Sequence, residues 1–394
     1  MTVNNLLAPY RVLDLTDENG WLTGKILGDL GADVIKIEPP GGDAGRARGP
    51  FYRGESLAWH AHNASKRGIT LDLENETGRA DFRRLAAKAD FILESFAPEY
   101  LHTRGIGFAE LREKNARLIL TSITPFGQTG PYANYRGADL IAMAMSGFMS
   151  LVGEPGETPL RVSLPQAAQW TGMYAAAGAL IAHYHCENTG RGQHVDVSMQ
   201  AGMLWALANA PAFWSLNRES LTRGGSFLVG RNVNGAKVRA IYPCREGYIN
   251  FALYGGDSGK RSHQGFIAWM NETDAAPGWL KQKDWNAFNV ARCTQADVDA
   301  IEKPFADFLR ARTKTEFVDA AVRHEIIGYP VADARDLLTD AHLQARDFWQ
   351  TVEHPELGAL KYAGAFAKFS RSEIKIRRPA PRIGEHNAEI LVEG

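Results

Sequence analysis

The chain has little cysteine. Three residues in 394, Cys186, Cys244 and Cys293, are too few and too scattered for a disulfide framework or a CxxC metal site, and they fit thiols in a reducing cytoplasm. Neither sign of charge is in surplus: 44 Lys and Arg stand against 45 Asp and Glu, a formal net charge of −1, so no long-range field would recruit nucleic acid or an anionic membrane. No apolar run is long enough for a bilayer span. The opening segment 1–16 lacks the basic stretch, apolar core and small-residue cleavage site of an export signal, which favours a cytoplasmic location. No GxGxxG or GxxxxGK[ST] occurs at a strand-to-helix junction, so the nucleotide-fold fingerprints are missing. No GxSxG nucleophile elbow, internal repeat or low-complexity linker is present either.

What is present is ample material for a buried core, with 45% hydrophobic and 23% charged residues in a length that suits two domains. The opening reads as strand (11–16), helix (22–30) and strand (32–38), a βαβ unit that predicts a parallel sheet. Strands at 68–73, 90–94 and 117–123 and a helix near 78–87 continue the alternation, giving an α/β layer. Alanine- and methionine-rich text at 138–149 and 166–185 predicts closely packed helices. A different texture from Gly224, with strands at 238–242 and 247–253 and Trp-rich helical text at 266–317, predicts a smaller α+β domain. The boundaries expected are 1–223 for the large domain, 224–327 for the small one and 328–394 for a return to the large one.

Local chemistry is sparse. The glycine loops at 39–43, 127–130 and 255–259 read as turns. Lys66 and Arg67 before a strand could hold phosphates or be solvated. His183 and His185, two apart on a helix, point in different directions and read as structural. Pattern alone therefore ends at a two-domain α/β enzyme with no metal site.

Longer motifs carry more. Val12-Leu-Asp-Leu-Thr16 followed by Leu27-Gly-Asp-Leu-Gly-Ala-Asp-Val-Ile-Lys-Ile-Glu-Pro-Pro-Gly-Gly-Asp43 resembles the opening of the family III CoA-transferases, the CaiB/BaiF or formyl-CoA transferase-like type. Ser65-Lys-Arg-Gly-Ile-Thr-Leu-Asp-Leu73, Ser122-Ile-Thr-Pro-Phe-Gly-Gln-Thr-Gly-Pro-Tyr132, the segment 188–199 and Arg378-Pro-Ala-Pro-Arg-Ile-Gly-Glu-His-Asn387 follow in the family's order. The resemblance implies a Rossmann-like large domain made by both chain ends, a small domain inserted between them, and two chains interlocked like linked rings. It implies a CoA thioester and a carboxylic acid as substrates, with no permanently bound cofactor. Lys66 and Arg67 are implied beside the CoA nucleotide, Ser95, Phe96 and Arg104 along the CoA, Thr124 and Phe126 facing the thioester, and 255–259 as a covering glycine loop. Ser95 replaces the family's usual asparagine, and Pro98-Glu99 its usual Pro-Gly.

One position breaks the pattern. The family's nucleophilic aspartate attacks the donor acyl-CoA and passes through an anhydride to an aspartyl-CoA thioester; the resemblance places Ala168 there. No Asp or Glu occurs between Glu157 and Glu187, and the amides of Gln166 and Gln169 are not competent nucleophiles. The racemase branch is disfavoured too, because Ala138 and Ala167 stand at its histidine and acid. No catalytic residue is therefore assigned. The leading expectation is one subunit of a heteromeric transferase that moves CoA from succinyl-CoA to an aryl- or alkylsuccinate, with a homologous partner supplying the aspartate; a homodimer is the other assembly. Trp205, Phe213, Trp214 and Tyr254 would suit an aromatic acceptor or serve as core. The alternatives are an acyl-CoA isomerase or lyase using Asp139, Glu154 or Asp257, and a non-catalytic CoA-ester-binding subunit.

Overall fold

The structure, a computed structural model, describes residues 5–207, 209–230 and 232–392. These divide into two compact units, one of 1–149, 161–215 and 341–394, the other of 150–160 and 216–340.

The first unit is built on six parallel strands: β1 (Arg11–Leu15), β2 (Asp33–Glu38), β3 (Lys66–Thr70), β4 (Phe91–Glu94), β5 (Ile119–Thr124) and β6 (His194–Ser198), in the order β3-β2-β1-β4-β5-β6. Between them run α1 (Trp21–Asp29), α2 (Leu57–Asn63), α3 (Glu76–Ala86), α4 (Asp139–Met145) and α5 (Ala167–Thr189), and α6 (Met199–Trp205) follows the last strand. The central strands are apolar on both faces, as a sheet covered on both sides requires. Leu13, Ile35, Ile69, Ile92 and Leu120 pack on Phe82 and Leu85 of α3, while Val12, Val34, Phe91, Leu93 and Ile119 pack on Leu27 of α1 and Ala179 and Ala182 of α5. Each such side chain removed from water contributes about 1.5–3 kcal/mol before conformational entropy is set against it. Local signals start the helices: Ser56 caps α2 through the Trp59 amide, and Asn75 caps α3 through the Gly78 amide.

β3 is an edge strand, and the C-terminal segment covers it. The amide of Gly68 donates to His386 Nδ1 at 3.1 Å and that of Thr70 to Asn387 Oδ1 at 2.9 Å, so both ends of the chain belong to this unit.

The second unit carries an antiparallel sheet of β7 (Ile241–Cys244), β8 (Gly247–Phe251) and β9 (Gly328–Pro330), with α7 (Gly256–Asn271), α8 (Gln295–Arg310) and α9 (Lys314–His324). Tyr242, Phe251, Phe266, Phe305 and Phe317 form its core, and Thr294 and Thr313 start α8 and α9 with capping boxes. The chain leaves this unit at 340 and enters it at 216, where the sequence reading had 327 and 224. The later exit has a physical cause: Gly328 and Tyr329 pair with Phe251 and Asn250 of β8. Segment 150–160 joins the same unit because Arg223 donates to the carbonyls of Ser150 and Glu157.

No helix among the described residues is long and apolar enough to cross a membrane.

Candidate active site

The motif resemblance puts the expected nucleophile position at the N-terminus of α5. Ala168 is its second residue, 4% exposed, and its methyl packs with Ala142, Met143, Met199 and Met203. The nearest acid in the hydrogen-bond network is Asp139, at the start of α4. Its two carboxylate oxygens accept from the amides of Ala168 (2.9 Å) and Gln166 (3.3 Å), capping a helix that has no cap of its own. Asp139 is thus engaged in holding the helix.

One further group meets this turn, and nothing in the sequence pointed to it. His62 on α2 uses Nδ1 to donate to the Ala58 carbonyl at 2.9 Å, which leaves Nε2 as an acceptor for the Gln169 amide at 3.0 Å. Burial lowers its pKa, against the raising effect of the Ala58 hydrogen bond, so the ring is neutral at physiological pH. Among the described residues, then, the start of α5 offers a neutral histidine, two amides and a capping carboxylate, but no free nucleophile.

The expected CoA residues fall into two groups. Ser95, Phe96 and Arg104 come together. The Ser95 hydroxyl accepts from the Asp17 amide (2.7 Å) and donates to its carboxylate (2.8 Å), fixing the turn after β4. Phe96 stacks on Tyr100 with ring centroids 4.2 Å apart and planes 18° apart, and the Arg104 guanidinium lies 3.6 Å over the other face of Tyr100. Arg104 also makes two 2.8 Å contacts to the exposed Glu74 carboxylate. The result is a partly exposed stack of two rings and a cation, a surface on which a planar heterocycle can sit. Tyr100 was not anticipated, although the spacing 96, 100, 104 carries the signal.

Lys66 and Arg67 have other partners than the phosphates expected of them. Lys66 Nζ is fully buried and donates to Asp14 (2.7 Å), Asn63 (2.8 Å) and the Trp21 carbonyl (2.9 Å), which uses all three of its N–H groups. Burial pushes its pKa down to about 8 against the pull of Asp14, so it remains charged at neutral pH. Burial would raise Asp14, but Lys66 and Lys36 outweigh it and hold the carboxyl below its ordinary range. Gly24 makes room for this pair, because a Cβ there would lie 2.2 Å from Asp14 Oδ2. Arg67 forms a two-pronged contact with Asp33 (2.9 and 2.7 Å) and pairs with Glu389. Both cations fasten strands and the C-terminal segment in this arrangement.

Thr124 is buried at the end of β5, where its hydroxyl accepts from the Gly127 amide at 2.9 Å. Phe126, half-buried, meets Tyr132 edge-on at 6.1 Å. In the second unit, Glu154 accepts from the amide and hydroxyl of Ser226 (3.1 and 3.0 Å), and Asp257 lies in the first turn of α7 behind the Gly255–Gly256 turn.

This parallel α/β fold is shared with a solved CaiB/BaiF family protein from Brucella suis, with a TM-score of 0.85 and 28% identity over 98% of each chain. The chain belongs to CoA-transferase family III, whose sequence model it matches over residues 7–387. It is 40% identical to the succinyl-CoA:(R)-benzylsuccinate CoA-transferase subunit BbsE of Thauera aromatica, over 98% of this chain and 93% of that one. It is 30% identical to the succinyl-CoA–L-malate CoA-transferase beta subunit of Chloroflexus aurantiacus, again over 98% and 93%. Succinate–glutarate CoA-transferase of Agrobacterium fabrum is 31% identical over 98% of this chain and 95% of its own. The protein is therefore an enzyme of the CoA-transferase type, and the expectation drawn from its motifs holds at that level.

Proposed function

We propose that this chain is the subunit of a two-component CoA-transferase that does not carry the nucleophile, and that it moves CoA from succinyl-CoA to an aryl- or alkylsuccinate together with a homologous partner. The observation that carries this reading is Ala168, packed among methionines and alanines with the adjacent carboxylate committed to capping. In the partner, an aspartate carboxylate attacks the thioester carbonyl and expels CoA thiolate. The thiolate then attacks the aspartyl carbonyl of the mixed anhydride and releases succinate. The acceptor's carboxylate attacks the resulting aspartyl thioester, expelling the thiolate again, and the thiolate's return to the acceptor carbonyl leaves the new CoA ester and the free aspartate.

This chain contributes the partner's structural counterpart and a CoA-ester surface. The Phe96–Tyr100–Arg104 stack suits an adenine ring and a neighbouring phosphate, and the turn at Ser95 suits the pantetheine that follows. Several large apolar side chains left exposed support assembly with a second family chain, interlocked as in the family. Leu140 and Met145 of α4, Tyr184 of α5, Trp205 of α6 and Trp214 are all exposed, Tyr184 by 74% and Trp205 by 70%, and a second chain would cover them. The names of the relatives in Thauera and Chloroflexus, both called subunits, favour a heteromer over a homodimer.

Native mass spectrometry after co-expression with an aspartate-bearing homologue tests the assembly: a mixed dimer is expected, and a stable monomer beside an indifferent homologue would count against it.

A further inference from the structure

Glu94 ends β4 and is 4% exposed. The register sets it beside Ser122 of β5, and sets His194 of β6 beside Leu120. All three side chains therefore leave the sheet on the face of Ile92 and Leu120, opposite the face on which α5 packs. The Glu94 carboxylate accepts from the Phe96 amide at 2.7 Å and from the Ser122 hydroxyl, and Ser122 Oγ lies 2.8 Å from His194 Nε2. A cavity of about 260 Å³ opens on this row, bounded also by Tyr100 of the stack.

The row is fully hydrogen-bonded in two states. With Glu94 ionised, His194 Nε2–H donates to Ser122 and Ser122 O–H donates to Glu94. With Glu94 protonated, both donors reverse and His194 accepts at Nε2. A buried proton is thus connected to a histidine whose outer edge reaches solvent. Burial raises the Glu94 carboxyl to about 7, with Asp196 and Asp17 pushing the same way and Ser122 and the Phe96 amide opposing, so both states are populated near neutrality. Burial also holds His194 below the usual histidine range, against Asp196. Glu99 and His102 line the same cavity from the segment after β4, with His102 paired to Glu110 at 2.8 Å.

We propose that Glu94 is a positioning residue for the CoA ester: its carboxylate fixes the Ser95–Phe96 turn that carries the Phe96–Tyr100–Arg104 stack, and Ser122 links its proton to His194. The proposal rests on the reading of that stack as the CoA-ester surface. An ionised acceptor holds an amide roughly twice as strongly as a neutral one, so the turn is firmest, and the ester bound best, with Glu94 charged.

The test is equilibrium binding of succinyl-CoA to the full chain, wild type and Glu94→Gln, between pH 6 and 8.5. Glutamine keeps the shape of the protonated acid and removes the charge, and a thermal melt of each protein confirms that it is folded. Titration of the ligand's own phosphates is common to both proteins and cancels in the ratio of their dissociation constants. That ratio, variant over wild type, should rise from near one at pH 6 to about three- to tenfold at pH 8.5. Ser122→Ala, which removes a donor to the carboxylate, should move the midpoint of the rise to higher pH. A ratio that does not change with pH overturns the role of Glu94 while leaving the CoA surface standing. Absence of binding by wild type at every pH overturns the CoA reading of the stack, and this proposal with it.

Discussion

The Asp139 carboxylate lies 2.9 Å from the amide of Ala168, so the acid that meets the start of α5 holds that helix in place. Capping and nucleophilic attack make opposite demands on a carboxylate. An oxygen that accepts helix N–H groups has its charge stabilised and its lone pairs directed away from an incoming carbonyl. Substituting Asp139 by Ala should therefore cost about 1 kcal/mol of stability, the usual value of a lost cap. Chemical denaturation measures this, and an unchanged midpoint would show the two amides to be satisfied by other means.

Under the proposed function, residue 168 is the decisive position for chemistry. Ala168→Asp puts a carboxylate at the proposed nucleophile position, at the start of α5 and next in sequence to Gln169, which bonds His62. The variant should acquire a succinyl-CoA-dependent covalent CoA adduct that intact-protein mass spectrometry detects and hydroxylamine removes. Wild type should form none.

Glu99 occupies the left-handed region at φ 69°, a conformation that suits glycine. A non-glycine residue there costs about 1–2 kcal/mol, partly offset by the freedom glycine has in the unfolded chain. Glu99→Gly should accordingly stabilise the protein by about 0.5–1 kcal/mol, read from the denaturation midpoint.

Two buried acids give the stability a definite pH dependence. Burial raises both Glu94 and Glu302 to about 7, from an ordinary 4.5. Between those values each acid holds a proton in the folded chain that it has lost in the unfolded one, so the stability each contributes is lost as pH rises from about 4.5 through 7, while His263, lowered by burial to about 4, contributes in the opposite sense. Other acids shifted downward act below this window. Relative to wild type, the Glu94→Gln and Glu302→Gln variants should each gain stability as pH rises from 5 to 8; thermal melts of variant and wild type across that range decide the matter.

Much of the fold was legible because a doubly covered parallel sheet writes itself as apolar runs. Strands expected at 11–16 and 32–38 are observed as Arg11–Leu15 and Asp33–Glu38, and the helix expected at 22–30 as Trp21–Asp29. The third strand was expected at 68–73 and lies at Lys66–Thr70, because its first two residues are charged and only the tertiary partners Asp14, Asp33 and Glu389 make them fit for burial. The site was less legible for the same reason. Nothing in the linear sequence reports that Asp14, 52 residues away, holds Lys66. His62, Gln169 and Asp139 meet only through the packing of α2, α4 and α5, and no linear spacing reports that. That no Asp or Glu lies between Glu157 and Glu187, by contrast, is read from the sequence directly and needs no geometry.

The most direct test of the account is transfer by the isolated chain. Purified alone and incubated with succinyl-CoA and a panel of aryl- and alkylsuccinates, it should give no new CoA ester by mass spectrometry. New esters should form when an aspartate-bearing homologous subunit is added, and should be lost when that subunit's aspartate is replaced by alanine. A new CoA ester from the isolated wild-type chain would contradict the account, since it would require a nucleophile that the start of α5 does not present.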